Sequence, residues 1–227
     1  MPNIIFILAI VLQAISAPGT LPAEAALKLH TSLKSAAAHK HHVWRDTPPL
    51  DVSRSRSPAG SRTEADGVLV NAYIEIPVGG RQKFELDMAK NAPALDREIP
   101  AKVGGYPVNY GIVPQTVSYD GDPFDVLVLG PAIKTGQMVK GVIVGLMHMT
   151  DEKGLDSKVV ISRVGPDGKA LHQLTDADRK RMADYFNRYK RDDDDPETFA
   201  TVPGWGTAAD GLAFVRKTHE FFVQALK

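Results

Sequence analysis

Apolar and polar positions change rhythm along this chain. Val68, Val70, Ala72, Ile74 and Ile76 alternate with Leu69, Asn71, Tyr73 and Glu75, which is the period of a strand. Pro77-Val78-Gly79-Gly80 supplies a turn into a second strand over residues 82–88, and the two are expected to form a hairpin. Further strands are expected at 124–129, 138–149 and 158–164, with Asp167-Gly168 marking a turn. Beyond these the period lengthens. Thr175 can cap a helix whose apolar face is Met182, Tyr185, Phe186 and Tyr189, and Thr207 one whose stripe is Ala208, Leu212, Val215, His219 and Phe222. His219 lies within that stripe and reads as a core or edge histidine. Strands first and helices last predict a small antiparallel sheet or barrel with helices packed outside, an α+β arrangement.

The first 66 residues follow no such rhythm. Residues 4–15 are almost wholly apolar, broken by Gln13, and Ala23-Glu24-Ala25 is a small-x-small pattern suited to a signal peptidase. Residues 1–25 are therefore expected to be an export signal, although no Lys or Arg precedes the apolar run. The run is too short to span a bilayer, so no stable membrane span is expected. Export would place the mature protein in the periplasm or outside the cell; retention of this segment would leave it cytoplasmic. Residues 26–66, rich in Ser, Ala, Arg, Pro and His, read as a flexible extension, and residues 67–227 as one globular domain. His39, His41 and His42 read as part of a solvated polar tract with no assigned role.

Composition narrows the function. The 227 residues, 43% hydrophobic, suffice for one sizeable core. Lys+Arg and Asp+Glu each total 27, so no global positive field recruits nucleic acid, and anion binding has to be local. Cysteine is absent, which excludes disulfides, thiolate catalysis and cysteine-ligated metals.

Candidate chemistry concentrates in Asp120-Gly121-Asp122-Pro123-Phe124-Asp125, at the mouth of an expected strand. Carboxylates this close repel one another, and a hard divalent cation with oxygen ligands relieves that; an acidic surface turn is the plain alternative. Asp151-Glu152 and Asp156, with Lys158, follow the long strand and can converge on the same rim, as suits more than one cation. Glu75, Lys83 and Glu85 come from the first hairpin, and Lys83 and Glu85 share a strand face. Arg97, Tyr106, Tyr110, Tyr189 and Lys190 are of the types that can hold phosphate oxygens, although a Lys at a helix end and a Tyr in a core also have routine structural roles.

In these motifs the chain resembles the family I soluble inorganic pyrophosphatases. The resemblance runs from about Gly67 to the C-terminus. It rests on Ile74-Glu75-Ile76-Pro77, Lys83-Phe84-Glu85, Asp96-Arg97, Tyr106-Pro107-Val108-Asn109-Tyr110-Gly111, the Asp-Gly-Asp-Pro-Phe-Asp signature, Asp151-Glu152 through Asp156 and Lys158, and Tyr189-Lys190. It implies a mainly β, five-stranded OB-type barrel with helices outside, and hydrolysis of diphosphate to two phosphates by direct attack of metal-activated water. It implies several magnesium ions per site, with Asp120, Asp125, Asp151 and Asp156 as ligands and Glu75, Glu85 and Glu152 orienting metal-bound water. Lys83, Arg97, Tyr110, Lys158, Tyr189 and Lys190 would bind the phosphoryl groups, Asp122 would be the general base and Tyr106 a supporting group. Assembly into a homo-oligomer is also implied. The acidic run Asp192 to Asp195 departs from the family pattern and could weaken phosphate binding nearby.

Three rival classes remain at this stage. An OB-type nucleic-acid or sugar module predicts a basic, aromatic-studded face, whereas the candidate face here is acidic. A hydrolase of another phosphoanhydride, such as a nucleotide or polyphosphate, needs a stacking surface that no motif supplies. An inactive metal-binding protein would not need the full set of candidate catalytic residues.

Overall fold

The computed structural model describes residues 20–51, 68–190 and 198–227. The apolar run at 4–15, the Arg- and Ser-rich stretch at 52–66 and the acidic run at 192–195 lie outside the described residues.

Helix α1 (Ala23–Ala36), the short α2 (Val43–Asp46) and β1 (Leu50–Asp51) precede the strands β2 (Leu69–Ile76), β3 (Gln82–Asp87), β4 (Ala92–Glu98), β5 (Asn109–Ile112) and β6 (Asp125–Leu129). Then come β7 (Met138–Asp151), β8 (Gly154–Leu155), β9 (Lys158–Arg163), α3 (Asp176–Phe186), β10 (Ala200–Gly206) and α4 (Ala208–Ala225). The sheet runs β1-β2-β5-β6-β9-β7-β10, with β8 on β7, and a further β2–β7 pairing closes β2, β5, β6, β9 and β7 into a five-stranded ring. This is the OB-type barrel, and closure removes the open edges that a sheet of this size would otherwise expose. All its pairings are antiparallel except β6 with β9.

Both faces of the strands are covered. Val126 and Val128 of β6 point into a cluster with Leu212 and Val215 of α4, and the intervening Leu127 and Leu129 into one with Met182, Tyr185 and Phe186 of α3. The two helices start where the threonines stand: Thr175 and Thr207 each accept from the backbone three residues on, and Asp178 and Asp210 return the bond, closing two capping boxes. His219 is tied to the Gln115 carbonyl through Nδ1 at 2.7 Å, as an edge histidine.

Two expectations are corrected. β2 and β3 do not form a hairpin. Both edges of β2 are already taken by β5 and β7, so β3 pairs instead with β4 as a separate ribbon. The turn between β2 and β3 spends its backbone groups elsewhere, Gly79 N donating to the Tyr106 carbonyl and Tyr106 N to that of Gly80. The first half of the expected flexible extension is a structured part of the core. Leu29, Ala36 and Trp44 are buried with Val117, Phe221 and Phe222. Trp44 meets Phe222 edge-on at 5.1 Å and donates its indole N–H to the Thr116 carbonyl. Burial of a side chain this large is worth several kcal/mol, enough to order a segment that has no apolar period of its own. The histidines there hold backbone: His39 and His42 bond the Ala89 and Met88 carbonyls at the β3–β4 turn.

Candidate active site

The parallel pair β6–β9 builds the floor. Val126 stands level with Val159, so Asp125 and Lys158, one residue earlier on each strand, meet at the barrel mouth. Lys158 is 1% exposed, and its Nζ lies 2.5 Å from Asp125 and 2.8 Å from Asp156, over the Tyr110 ring. Burial works against the Lys158 ammonium, but Asp125 and Asp156 outweigh it and hold the group above its usual range. Asp156 is pushed up to about 7, because burial and the Asp125 charge exceed what Lys158 returns. Glu75, at the end of β2, is buried and accepts the Leu86 N–H at 2.7 Å. Burial raises it well above the ordinary carboxylate range. Burial likewise keeps the Tyr110 and Tyr189 phenols neutral.

The walls come from three other places. At the end of β7, Asp151 and Glu152 share Lys190, which follows α3. Burial opposes the Lys190 charge, yet these two carboxylates raise it above its usual range. On the β3–β4 ribbon, Lys83 stands opposite Arg97 and bonds Glu85 and, at 3.0 Å, Asp96. The third wall is the tight loop after Val117. Ser118 N donates to the Asp122 carbonyl, Gly121 N to Ser118, and Asp122 N to Asp120 Oδ1. Gly121 sits at φ 85°, a left-handed conformation that suits glycine. Asp122 is pushed up to about 6 by partial burial and by Asp120, with Lys28 opposing the shift.

These elements enclose a pocket of about 470 Å³. Glu75, Lys83, Glu85, Arg97, Tyr110, Asp120, Asp122 and Asp125 line it, together with Asp151, Glu152, Asp156, Tyr189 and Lys190. Lys158 lies beneath the lining. Tyr106 is set behind it, its ring 5.3 Å from Tyr110 and 5.1 Å from Tyr185, and the buried Tyr106 and Tyr185 hydroxyls have no hydrogen-bond partner among the described residues. Sequence reasoning did not single out Ser32, Ser118, Lys153 or Thr198, which also line the pocket. Lys153 adjoins Asp151-Glu152 and could have been found by proximity, whereas Thr198 precedes β10, a strand the sequence pattern does not show. Ser32 carries no such signal, because it belongs to α1.

Oxygen donors dominate this site, and four ammoniums, Lys158, Lys190, Lys83 and Lys28, are shared among its eight carboxylates. Among the described residues no three carboxylate or imidazole groups already converge as a closed metal cage. What the pocket offers is an excess of acid, with Glu75, Asp122 and Asp156 all raised, and such an arrangement gains from hard cations.

Comparison with known proteins points to a single family. A family model described as inorganic pyrophosphatase matches residues 72–223. Inorganic pyrophosphatase 1 of Pseudomonas syringae pv. tomato is 32% identical over 179 residues, covering 75% of this chain and 99% of that protein. The inorganic pyrophosphatase of Saccharolobus solfataricus is 32% identical over 158 residues, 66% of this chain and 90% of its own. Among solved structures, the inorganic pyrophosphatase of Thermus thermophilus superposes with a TM-score of 0.63 at 30% identity, covering 74% of this chain and 97% of that one. Helices α1 and α2 precede the residues the family model matches.

Proposed function

The chain belongs to the inorganic pyrophosphatase family, hydrolases of diphosphate, and from that premise we propose that its reaction depends on magnesium ions held by Asp120, Asp125, Asp151 and Asp156. The observation that carries this reading is that eight carboxylates, Glu75, Glu85, Asp120, Asp122, Asp125, Asp151, Glu152 and Asp156, line one pocket together with Lys83, Arg97 and Lys190. The donor set fits magnesium, being all oxygen and adjacent to groups that bind phosphate. When bound, magnesium would neutralise diphosphate oxygens and acidify a water.

The chain's own groups do the rest. Asp122, raised towards neutral pH, accepts the proton of the attacking water at its carboxylate. Glu75, Glu85 and Glu152 orient water around the metal ligands. Lys83, Arg97 and Lys190 from the walls, Tyr110 and Tyr189 as neutral donors and Lys158 from below bind the two phosphoryl groups and stabilise charge on the leaving phosphate. Tyr106 backs the Tyr110 ring and fixes it. A polyanion such as an oligonucleotide would meet this acidic rim with repulsion.

Phosphate release from diphosphate by the purified chain, with and without magnesium, tests the reading beside Asp122→Asn and ATP as a control. Magnesium-dependent turnover, lost in the variant and weak on ATP, is expected; turnover indifferent to magnesium would sink it. Export through residues 1–25 and assembly into a homo-oligomer belong to the same proposal, and N-terminal sequencing of the mature protein and sedimentation check them. A cut after Ala25 would remove the first three residues of α1.

A further inference from the structure

Helix α1 lies outside the segment matched by the family model, yet it is docked on the loop that carries Asp122. Its inner face is anchored by the buried Ala25, Leu29 and Ala36. A Cβ at Gly121 would stand 2.8 Å from the Ala25 carbonyl oxygen and 2.9 Å from Lys28 Cβ, so helix and loop touch with no room for a side chain between them. From this docked face Lys28 Nζ reaches Asp122 Oδ2 at 2.6 Å. Ser32, one turn further along, lines the pocket, so the helix presents one polar edge to the site.

We propose that Lys28 is a positioning residue of the diphosphate site, supplied from outside the family segment, which holds the Asp122 carboxylate in its working orientation. The proposal rests on the role given to Asp122 above. The two side chains are 44% and 48% exposed, and an ion pair in such surroundings adds little to stability. Its effect is geometric. With Oδ2 held by the ammonium, the carboxylate keeps one rotamer and leaves Oδ1 as the proton acceptor; without it, the side chain samples orientations in which neither oxygen is placed. The contact also needs the whole of α1 in place, so anchoring residues such as Leu29 act on the site through Lys28.

Because the chain contains no cysteine, Lys28→Cys carries a single thiol, which bromoethylamine converts into a close analogue of lysine. Lys28→Met and Lys28→Cys are expected to lower kcat for diphosphate about tenfold while KM stays within about twofold. Lys28→Arg keeps most of the rate, and aminoethylation of Lys28→Cys restores it. In the metal-free chain, the Gly121 and Asp122 amides of Lys28→Met exchange faster than in the wild type, with the thermal midpoint unchanged. The neighbouring Leu27→Ser, on the exposed side of the helix, serves as the control that moves none of these readouts. An unchanged or raised kcat in Lys28→Met, a loss confined to KM, or a failure of aminoethylation to restore the rate overturns the proposal. An inactive wild-type chain would instead sink the reading of the site itself, which separates the two failures.

Discussion

The floor and the rim of the pocket hold the same kinds of side chain under different physics. On the floor, Lys158 is sealed between Asp125 and Asp156 at 1% exposure, with Glu75 buried and Tyr110 half-buried beside it. On the rim, Glu85 is 57% exposed beside Lys83, and Arg97 46% exposed beside Asp96. Charges on the floor feel a low dielectric and depend on one another, so fold and chemistry are coupled there; charges on the rim are screened and can act on a substrate without holding the barrel together.

The sharpest way to break this contrast is Lys158→Met, which strips two poorly exposed carboxylates of their shared cation. A loss of about 3–5 kcal/mol in urea unfolding of the metal-free chain is expected, along with activity. A change below about 1 kcal/mol would mean that the floor is as forgiving as the rim. Asp122→Asn comes next and should split the two properties: kcat falls by about 10² or more while the thermal midpoint holds or rises, since a raised carboxyl is replaced by a neutral group. Arg97→Ala tests the rim alone, with KM for diphosphate rising about tenfold and stability unchanged.

The smallest effect is on pH dependence. In the folded chain Asp122 titrates at about 6 and Asp156 at about 7, against about 4 for an unfolded aspartate. Between those values the folded state binds more protons than the unfolded one. The metal-free chain should therefore be stablest towards pH 4 with respect to these groups and lose that contribution as pH rises to about 7. Melting curves across that range show it, and magnesium at pH 8 should return more stability than at pH 5.

Which residues gather in the pocket was more legible in the sequence than what supports them. Motif residues announce themselves because carboxylates packed at Asp120, Asp122 and Asp125 repel one another, and a second acidic cluster at Asp151, Glu152 and Asp156 tips the reading from a surface turn towards a shared site. Thr175 and Thr207 announced their helices through caps that depend on four neighbouring residues. The β2–β3 hairpin was misread because local turn residues say nothing about whether a strand's edges are already taken; β5 and β7, far along the chain, had claimed both. β10 escaped because Pro203 and two glycines hide its pairing with β7. The α1 segment escaped because Leu29 and Ala36 of its buried face share a cluster with Phe221 and Phe222, almost 200 positions away, and no local period records such a contact.

The parallel pairing of β6 with β9 also governs the order in which the molecule can come together. Parallel neighbours cannot be joined by a tight turn, and here the long β7 separates them in sequence and pairs with both β9 and β2. Asp125 and Lys158 thus meet only after the chain has closed a loop of about thirty residues, a slow, entropically costly event. A ribosome-bound chain that has emerged only as far as β7 carries most of the acidic motif but has no assembled mouth, so diphosphate binding should appear late, at ring closure, and could report barrel completion during synthesis.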